Sequence, residues 1–298
     1  MKCLFAVFIV SLLCVPALSS HAQETLTTEP IFVWPDLAPG ETERTTGTQL
    51  PMRAVDKPPI IRVEKIRRPP MSVYPATKNA NGSAVLILPG GGFGKVVPNL
   101  EGSEAADWLC DLGVTCFVLN YRTRLPNNAH EAGWKRPLQD AQRAMRWIRA
   151  NAERWNLDRD QIGLLAFSAG GQVGAILITN EEASYESIDQ VDEQSFRPDF
   201  AMLVYPWNMY DNKTDKLMPV IKVTKNTPPS FIIHTHDDGS TSLGSVLLYA
   251  DMKRQKVPAE LHVYETGGHG YGTRDRPNSN IGSWTARATD WLERRLPR

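Results

Sequence analysis

Residues 161–174 read QIGLLAFSAGGQVG, an apolar run ending at Phe167, a single serine, and then paired glycines. Continuous rather than alternating apolar residues mark a strand covered on both faces, as in a parallel sheet. The following GQVGAILIT reads as a helix, so Ser168 stands at a strand–turn–helix junction. Such a turn is strained, and the residues two before and two after the serine must be small to pass one another. Gly170 meets that demand. Ala166 stands where glycine is usual, with one extra methyl group. Small-x-Ser-x-Gly alone is a modest signal, because a serine hydroxyl needs a base, an orienting acid and an oxyanion hole before it acts as a nucleophile.

All three accompany it. The strand SAVLILP (83–89) runs into Gly90-Gly91-Gly92-Phe93-Gly94. Glycines at a strand's carboxyl end turn backbone N–H groups inward with no side chain in the way, so Gly91 and Gly92, with the N–H of Ala169, are the candidate oxyanion hole. A phosphate loop is the rival reading, but Lys95 is followed by Val96, and no glycine stands at 97 to complete a dinucleotide-binding motif. The strand SFIIHTH (230–236) ends in Asp237-Asp238. Asp238 is the candidate acid and Asp237 the reserve, the bland alternative being an Asx turn with Gly239. The strand AELHVYE (259–265) leads to TGGHGYG, which places His269 in a glycine-flanked loop as the candidate base. Of the other histidines, His21 belongs to the leader, His262 lies mid-strand, His130 sits in a polar stretch, and His234 and His236 flank the acid turn, where they line or support the site. The order Ser168, Asp238, His269 is that of α/β-hydrolases.

The rest of the chain fits the same architecture. Further strand-type runs are VTCFVLNY (114–121) and DFAMLVYP (199–206). Leu138, Ala141, Ala144, Met145, Ile148, Ala152 and Trp155 recur at helical spacing, and Gly113 ends a helix containing Trp108 and Leu109. Strand and helix in alternation imply an α/β, mostly parallel, doubly wound sheet with helices on both faces. One catalytic domain is expected over 59–298, preceded by an extended arm at 23–58; residues 59–76 are expected to form antiparallel strands at a sheet edge around Pro69-Pro70.

Lys2, the apolar run from Cys3 to Leu18, and small residues at Ser20 and Ala22 read as a signal peptide over 1–22, giving an exported protein, periplasmic or secreted. Pro16 and the short span argue against a retained membrane anchor. Lys+Arg and Asp+Glu both number 33, so charge points to no nucleic-acid partner. After cleavage the remaining cysteines are Cys110 and Cys116, which could pair in an oxidising compartment or stay as buried thiols.

The chain also resembles a known group, the secreted α/β-hydrolases related to acetylxylan esterases and to the BD-FAE (bodyguard and feruloyl esterase-like) family. The resemblance is carried by VWPDLAPG (33–40), LPGGGFGKV (88–96), EGSEAADWLCDLGVTCFVLNYR (101–122), PLQDAQRAMRWIRANAERWNLDRDQIGLLAFSAGG (137–171), TPPSFIIHTHDD (227–238) and VPAELHVYETGGHGYG (257–272). It assigns nucleophile, acid and base to the same Ser168, Asp238 and His269. The chain departs from the family pattern at Ala166, at Gln172 where a histidine often follows the double glycine, and in GSTSLGS after Asp238. The resemblance implies a secreted serine esterase acting on carbohydrate esters, foremost the acetyl groups of xylan or xylo-oligosaccharides, without metal or cofactor. Feruloyl esterase, general short-chain carboxylesterase and peptidase are the enzymatic alternatives, and an inactive glycan-binding hydrolase fold is the other. Asp140 reads either as a brace beneath a loop or as a solvated helix carboxylate. Tyr121-Arg122 reads either as a tie between active-site loops or, for Arg122, as a partner for a surface acid. Trp207, in the segment 205–223, reads as a sugar-stacking ring or as part of a partial cap over the core.

Overall fold

The computed structural model describes residues 29–125 and 130–296. The expected signal peptide, 1–22, lies outside the described residues. Eight strands form one sheet: β1 (Ile31–Phe32), β2 (Pro70–Tyr74), β3 (Ala84–Leu88), β4 (Thr115–Leu119), β5 (Ile162–Phe167), β6 (Ala201–Val204), β7 (Ser230–Thr235) and β8 (Ala259–Tyr264). Their spatial order is β1-β2-β4-β3-β5-β6-β7-β8, and only β2 runs against its neighbours. From β4 to β8 every pairing is parallel. This is the α/β-hydrolase fold, in the mostly parallel doubly wound form that the apolar runs predict.

Helices cover both faces, which is why the central strands are apolar throughout. The helices are α1 (Glu104–Asp111), α2 (Lys135–Ala150), α3 (Ser168–Thr179), α4 (Leu243–Arg254) and α5 (Trp284–Glu293). Ala84, Leu86 and Leu88 of β3 face a core shared with Leu138, Met145, Val173 and Leu248 from α2, α3 and α4. Val85 and Ile87 face a second core with Leu109 of α1 and Trp284 and Trp291 of α5. Each central strand thus buries both its odd and its even side chains.

The described part of the stretch expected as an arm, residues 29–58, packs onto the rest of the chain. Ile31 and Phe32 pair with Met71 and Pro70 of β2, and Val33, Trp34 and Ala38 are buried in the first core. The Trp34 indole N–H donates to Asp140 Oδ1 at 2.8 Å, so burying the ring leaves no polar atom unpaired. Of the expected edge strands, Pro70–Tyr74 joins the main sheet. Val63–Ile66 instead pairs with Thr46–Gln49 and Lys95–Val96 in a separate three-stranded sheet beside the glycine-rich loop. Cys110 and Cys116 are both buried as free thiols. No helix among the described residues is long and apolar enough to cross a membrane.

Candidate active site

The carboxyl ends of β3, β5, β6 and β7 meet around Ser168. Ser168 is the first residue of α3 and takes a left-handed backbone, φ 53°, directly after extended Phe167. For a residue with a Cβ this conformation costs on the order of 1–2 kcal/mol, held in place by the packing around it. That packing explains both small positions. A Cβ on Gly170 would stand 2.3 Å from the Leu88 carbonyl oxygen and 2.5 Å from that of Pro89. The Ala166 methyl is accommodated because its neighbour on α3 is Gly174, whose own Cβ would come within 2.8 Å of it. The departure from the glycine pattern at 166 is thus matched by a glycine eight residues later.

Ser168 Oγ lies 2.7 Å from His269 Nε2, and His269 Nδ1 lies 2.6 Å from Asp238 Oδ2. A carboxylate only accepts, so Nδ1 carries the proton and Nε2 is free to accept the serine hydroxyl proton. Asp238 is 6% exposed. Its Oδ1 accepts the Ser240 N–H at 2.7 Å, and its Oδ2 also faces His234 Nε2 at 3.1 Å. His234, itself buried, reaches Ser245 Oγ through Nδ1 at 2.9 Å. Burial alone would push the Asp238 carboxyl up, but the hydrogen bonds from His234, His269 and the Ser240 amide outweigh it and hold the group far below the ordinary carboxylate range.

Asp237 points elsewhere. Its carboxylate accepts the N–H groups of Gly267 and Gly268 at 3.2 and 2.8 Å and so pins the loop that carries His269. The structure therefore brings Asp238, and not Asp237, to the imidazole.

Gly91 and Gly92 line the same cavity as Ser168 and His269, a space of about 550 Å³. The Ala169 N–H lies in the first turn of α3, where no preceding carbonyl exists within the helix to accept it. Trp207 also lines the cavity, its backbone N–H donating to the Ser168 carbonyl at 2.9 Å and its ring 5.9 Å from that of Phe93. Ile60, Val97 and Leu100 give the wall an apolar side. Tyr121 and Arg122 lie beneath the site and do not line it. The Tyr121 hydroxyl donates to the Pro89 carbonyl at 2.6 Å and so braces the start of the glycine loop. Arg122 pairs with Asp140, Nε to Oδ1 at 2.9 Å, both side chains fully buried. Asp140 is thus a buried brace, and the surface partner envisaged for Arg122 is replaced by a buried one. His130 and His236 are exposed, and His262 pairs with Glu260 at 2.8 Å.

Two residues that the sequence did not single out belong to this site. Glu101 Oε2 accepts the Gly90 N–H at 2.7 Å, and Tyr205, at the end of β6, donates its hydroxyl to Glu101 Oε1 at 2.8 Å. A lone glutamate in a polar segment reads as solvated. The available hint was its place eleven residues after the first loop glycine.

The arrangement defines the class of protein. The fold is that of the α/β-hydrolases, and the relatives include proteins named as esterases. Within that class the chain resembles the acetylxylan esterases and the BD-FAE family, whose family model matches residues 71–202. It is 27% identical over 237 residues to the acetylxylan esterase of Xylanibacter ruminicola, covering 70% of this chain and 46% of that protein. It is 29% identical over 221 residues to endo-1,4-beta-xylanase B of Butyrivibrio fibrisolvens, covering 68% of this chain and 34% of that protein. The chain thus spans less than half the length of these two curated relatives. Among solved structures, the acetyl ester-xyloside bifunctional hydrolase of Caldicellulosiruptor lactoaceticus superposes with a TM-score of 0.65 at 29% identity, covering 76% of this chain and 88% of that one.

Proposed function

We propose that the chain is an exported serine esterase that removes acetyl groups from xylan or xylo-oligosaccharides. The observation that carries the reading is the continuous chain of contacts Ser168 Oγ–His269–Asp238 on the wall of one cavity, at 2.7 and 2.6 Å. Ser168 Oγ attacks the ester carbonyl carbon while His269 Nε2 takes its proton. The carbonyl oxygen, now negative, faces the N–H groups of Gly91, Gly92 and Ala169. Collapse breaks the bond to the sugar oxygen, which leaves with the proton from His269, and Ser168 holds the acyl group. Water, deprotonated by His269, then releases the acid and restores the serine. Asp238 stays ionised throughout and holds the imidazole in the tautomer that accepts.

The acetyl preference draws support from the names of the relatives and from the cavity itself. Trp207 is the sole Phe, Tyr or Trp side chain among its described lining residues, an apolar face against which a sugar ring can stack, whereas an aromatic acyl group calls for more. The test is acetate release from acetylated xylan by the mature chain beside Ser168→Ala. Loss of about 10⁴-fold or more in kcat for the variant is expected. A wild type that releases nothing, yet is labelled at Ser168 by a fluorophosphonate, keeps the mechanism and discards xylan. A wild type neither active nor labelled is a glycan-binding fold instead.

A further inference from the structure

The wall of the cavity also holds a carboxylate that the reaction above leaves unused. Glu101 is 4% exposed, and its interaction partners among the described residues are the Gly90 amide, the Tyr205 hydroxyl and His269, not a lysine or arginine. Burying a carboxylate without a cation is costly, so its bonds are worth tracing. Gly90 is squeezed between it and the nucleophile: a Cβ there would lie 2.6 Å from Ser168 Cβ and 2.7 Å from Glu101 Oε2. Tyr205 in turn accepts the Gly272 N–H on its hydroxyl at 2.9 Å, and its ring meets the His269 ring edge-on at 4.8 Å. One carboxylate therefore ties the residue before Gly91 and Gly92 to the loop three residues beyond the base.

We propose that Glu101 is a positioning residue: acting through Gly90 and Tyr205, it holds the oxyanion amides and the base loop in one frame around Ser168. The inference rests on the serine-esterase reading. Hydrogen-bond accounting supports it. The Tyr205 hydroxyl already accepts from Gly272, so its own proton goes to Glu101, and both carboxylate oxygens are acceptors. The bonded form is thus the ionised one, although burial pushes this carboxyl up against the pull of Tyr205, Gly90 and His269. The titratable groups facing it are Tyr121, Tyr205, Tyr271 and His269. A raised carboxyl pKa means that the folded wild type loses stability relative to Glu101→Gln as pH climbs from the ordinary carboxylate range through the raised value.

The test is p-nitrophenyl acetate hydrolysis by the full mature chain, Glu101→Gln and Tyr205→Phe, with unfolding temperatures across pH. Glu101→Gln keeps one acceptor and loses the other, and Tyr205→Phe keeps the ring on His269 but cuts both hydroxyl bonds. A fall in kcat of about 10- to 100-fold with KM within about threefold is expected for each, together with a stability gap between wild type and Glu101→Gln that moves in the variant's favour as pH rises. A merely structural glutamate would lower the unfolding temperature and leave kcat per folded molecule alone. Should Glu101→Gln fail to fold, Tyr205→Phe carries the comparison. Variants with kcat within about twofold of an active wild type overturn this inference alone, whereas an unlabelled, inactive wild type overturns the esterase reading and this inference with it.

Discussion

Asp238→Asn is expected to lower kcat by about 10⁴-fold while the chain stays folded. The loss follows from the tautomer rather than from charge alone. An asparagine amide facing His269 Nδ1 donates where the carboxylate accepted, which moves the ring proton to Nε2, against the Ser168 hydroxyl 2.7 Å away. The base then meets the nucleophile with its proton already in place. Asp237→Asn is the matched control, since it alters the neighbouring carboxylate and leaves the imidazole partner untouched. Its oxygen still accepts one of the Gly267 and Gly268 amides, so a loss under about tenfold is expected. Comparison of kcat for the two variants, with unfolding temperatures as the fold control, checks the assignment. Equal losses would contradict it. The depressed Asp238 pKa adds a pH statement. Its contribution to stability is complete above the ordinary carboxylate pKa of about 4 and is lost only as pH falls through the lower folded value. Inactivation between pH 4 and 7 should therefore not come from Asp238, and the stability of Asp238→Asn should approach that of the wild type only in strong acid.

The two aspartates show where reading from residues ends. Strand β7 and the paired carboxylates after it are plain in SFIIHTHDD, because a buried parallel strand is apolar throughout and a ligand site lies beyond its carboxyl end. Which carboxylate turns toward a histidine 31 residues later depends on the path of the intervening loop, and adjacent residues give no such information. The segment from Ile31 to Ala38 is opaque for a different reason. Its strand is two residues long, Ile31–Phe32, too short for any period, and the buried Trp34 finds the acceptor for its N–H in Asp140, 106 residues away. Arg122 and Asp140 likewise look like surface charges until the chain closes over both of them. Glu101 is the sharpest case. Its donors lie 11 and 104 residues from it, and glutamate is among the residue types least often found buried, so composition argues against the place it takes. Ser168 and His269, by contrast, are legible because Gly170 and Gly171 follow the serine and Gly268 and Gly270 flank the histidine, and glycine patterns report backbone demands that a single sequence can carry.

Gly170→Ala is expected to be the most damaging one-methyl change near the site. The added carbon meets the backbone carbonyl oxygens of Leu88 and Pro89, at 2.3 and 2.5 Å, and backbone cannot swing aside as a side chain can. Relief requires the start of α3 to withdraw from β3, which pulls Ser168 from His269 and the Ala169 amide from Gly91 and Gly92. Overpacking of this kind costs about 1–3 kcal/mol or more, equivalent to a fall of roughly 2–4 °C in Tm for each kcal/mol in a chain of this size. A displaced oxyanion amide costs about 10²-fold or more in kcat besides. Ala166→Gly, which restores the usual pattern on the other side of the serine, should change kcat by less than about threefold and lower stability by about 1 kcal/mol, because a strand glycine gains freedom when unfolded. The pairing of Ala166 with Gly174 gives the stricter check. Gly174→Ala alone sets two methyl carbons 2.8 Å apart, with Leu203 and Leu164 pressing at 3.0 and 3.2 Å. Removing the facing methyl in the double variant Ala166→Gly/Gly174→Ala should return part of that loss, a coupling on the order of 0.5–3 kcal/mol in a double-mutant cycle of unfolding free energies. Strict additivity would mean that the strain falls on the leucines, and that the alanine at 166 is tolerated for some reason other than the glycine opposite it.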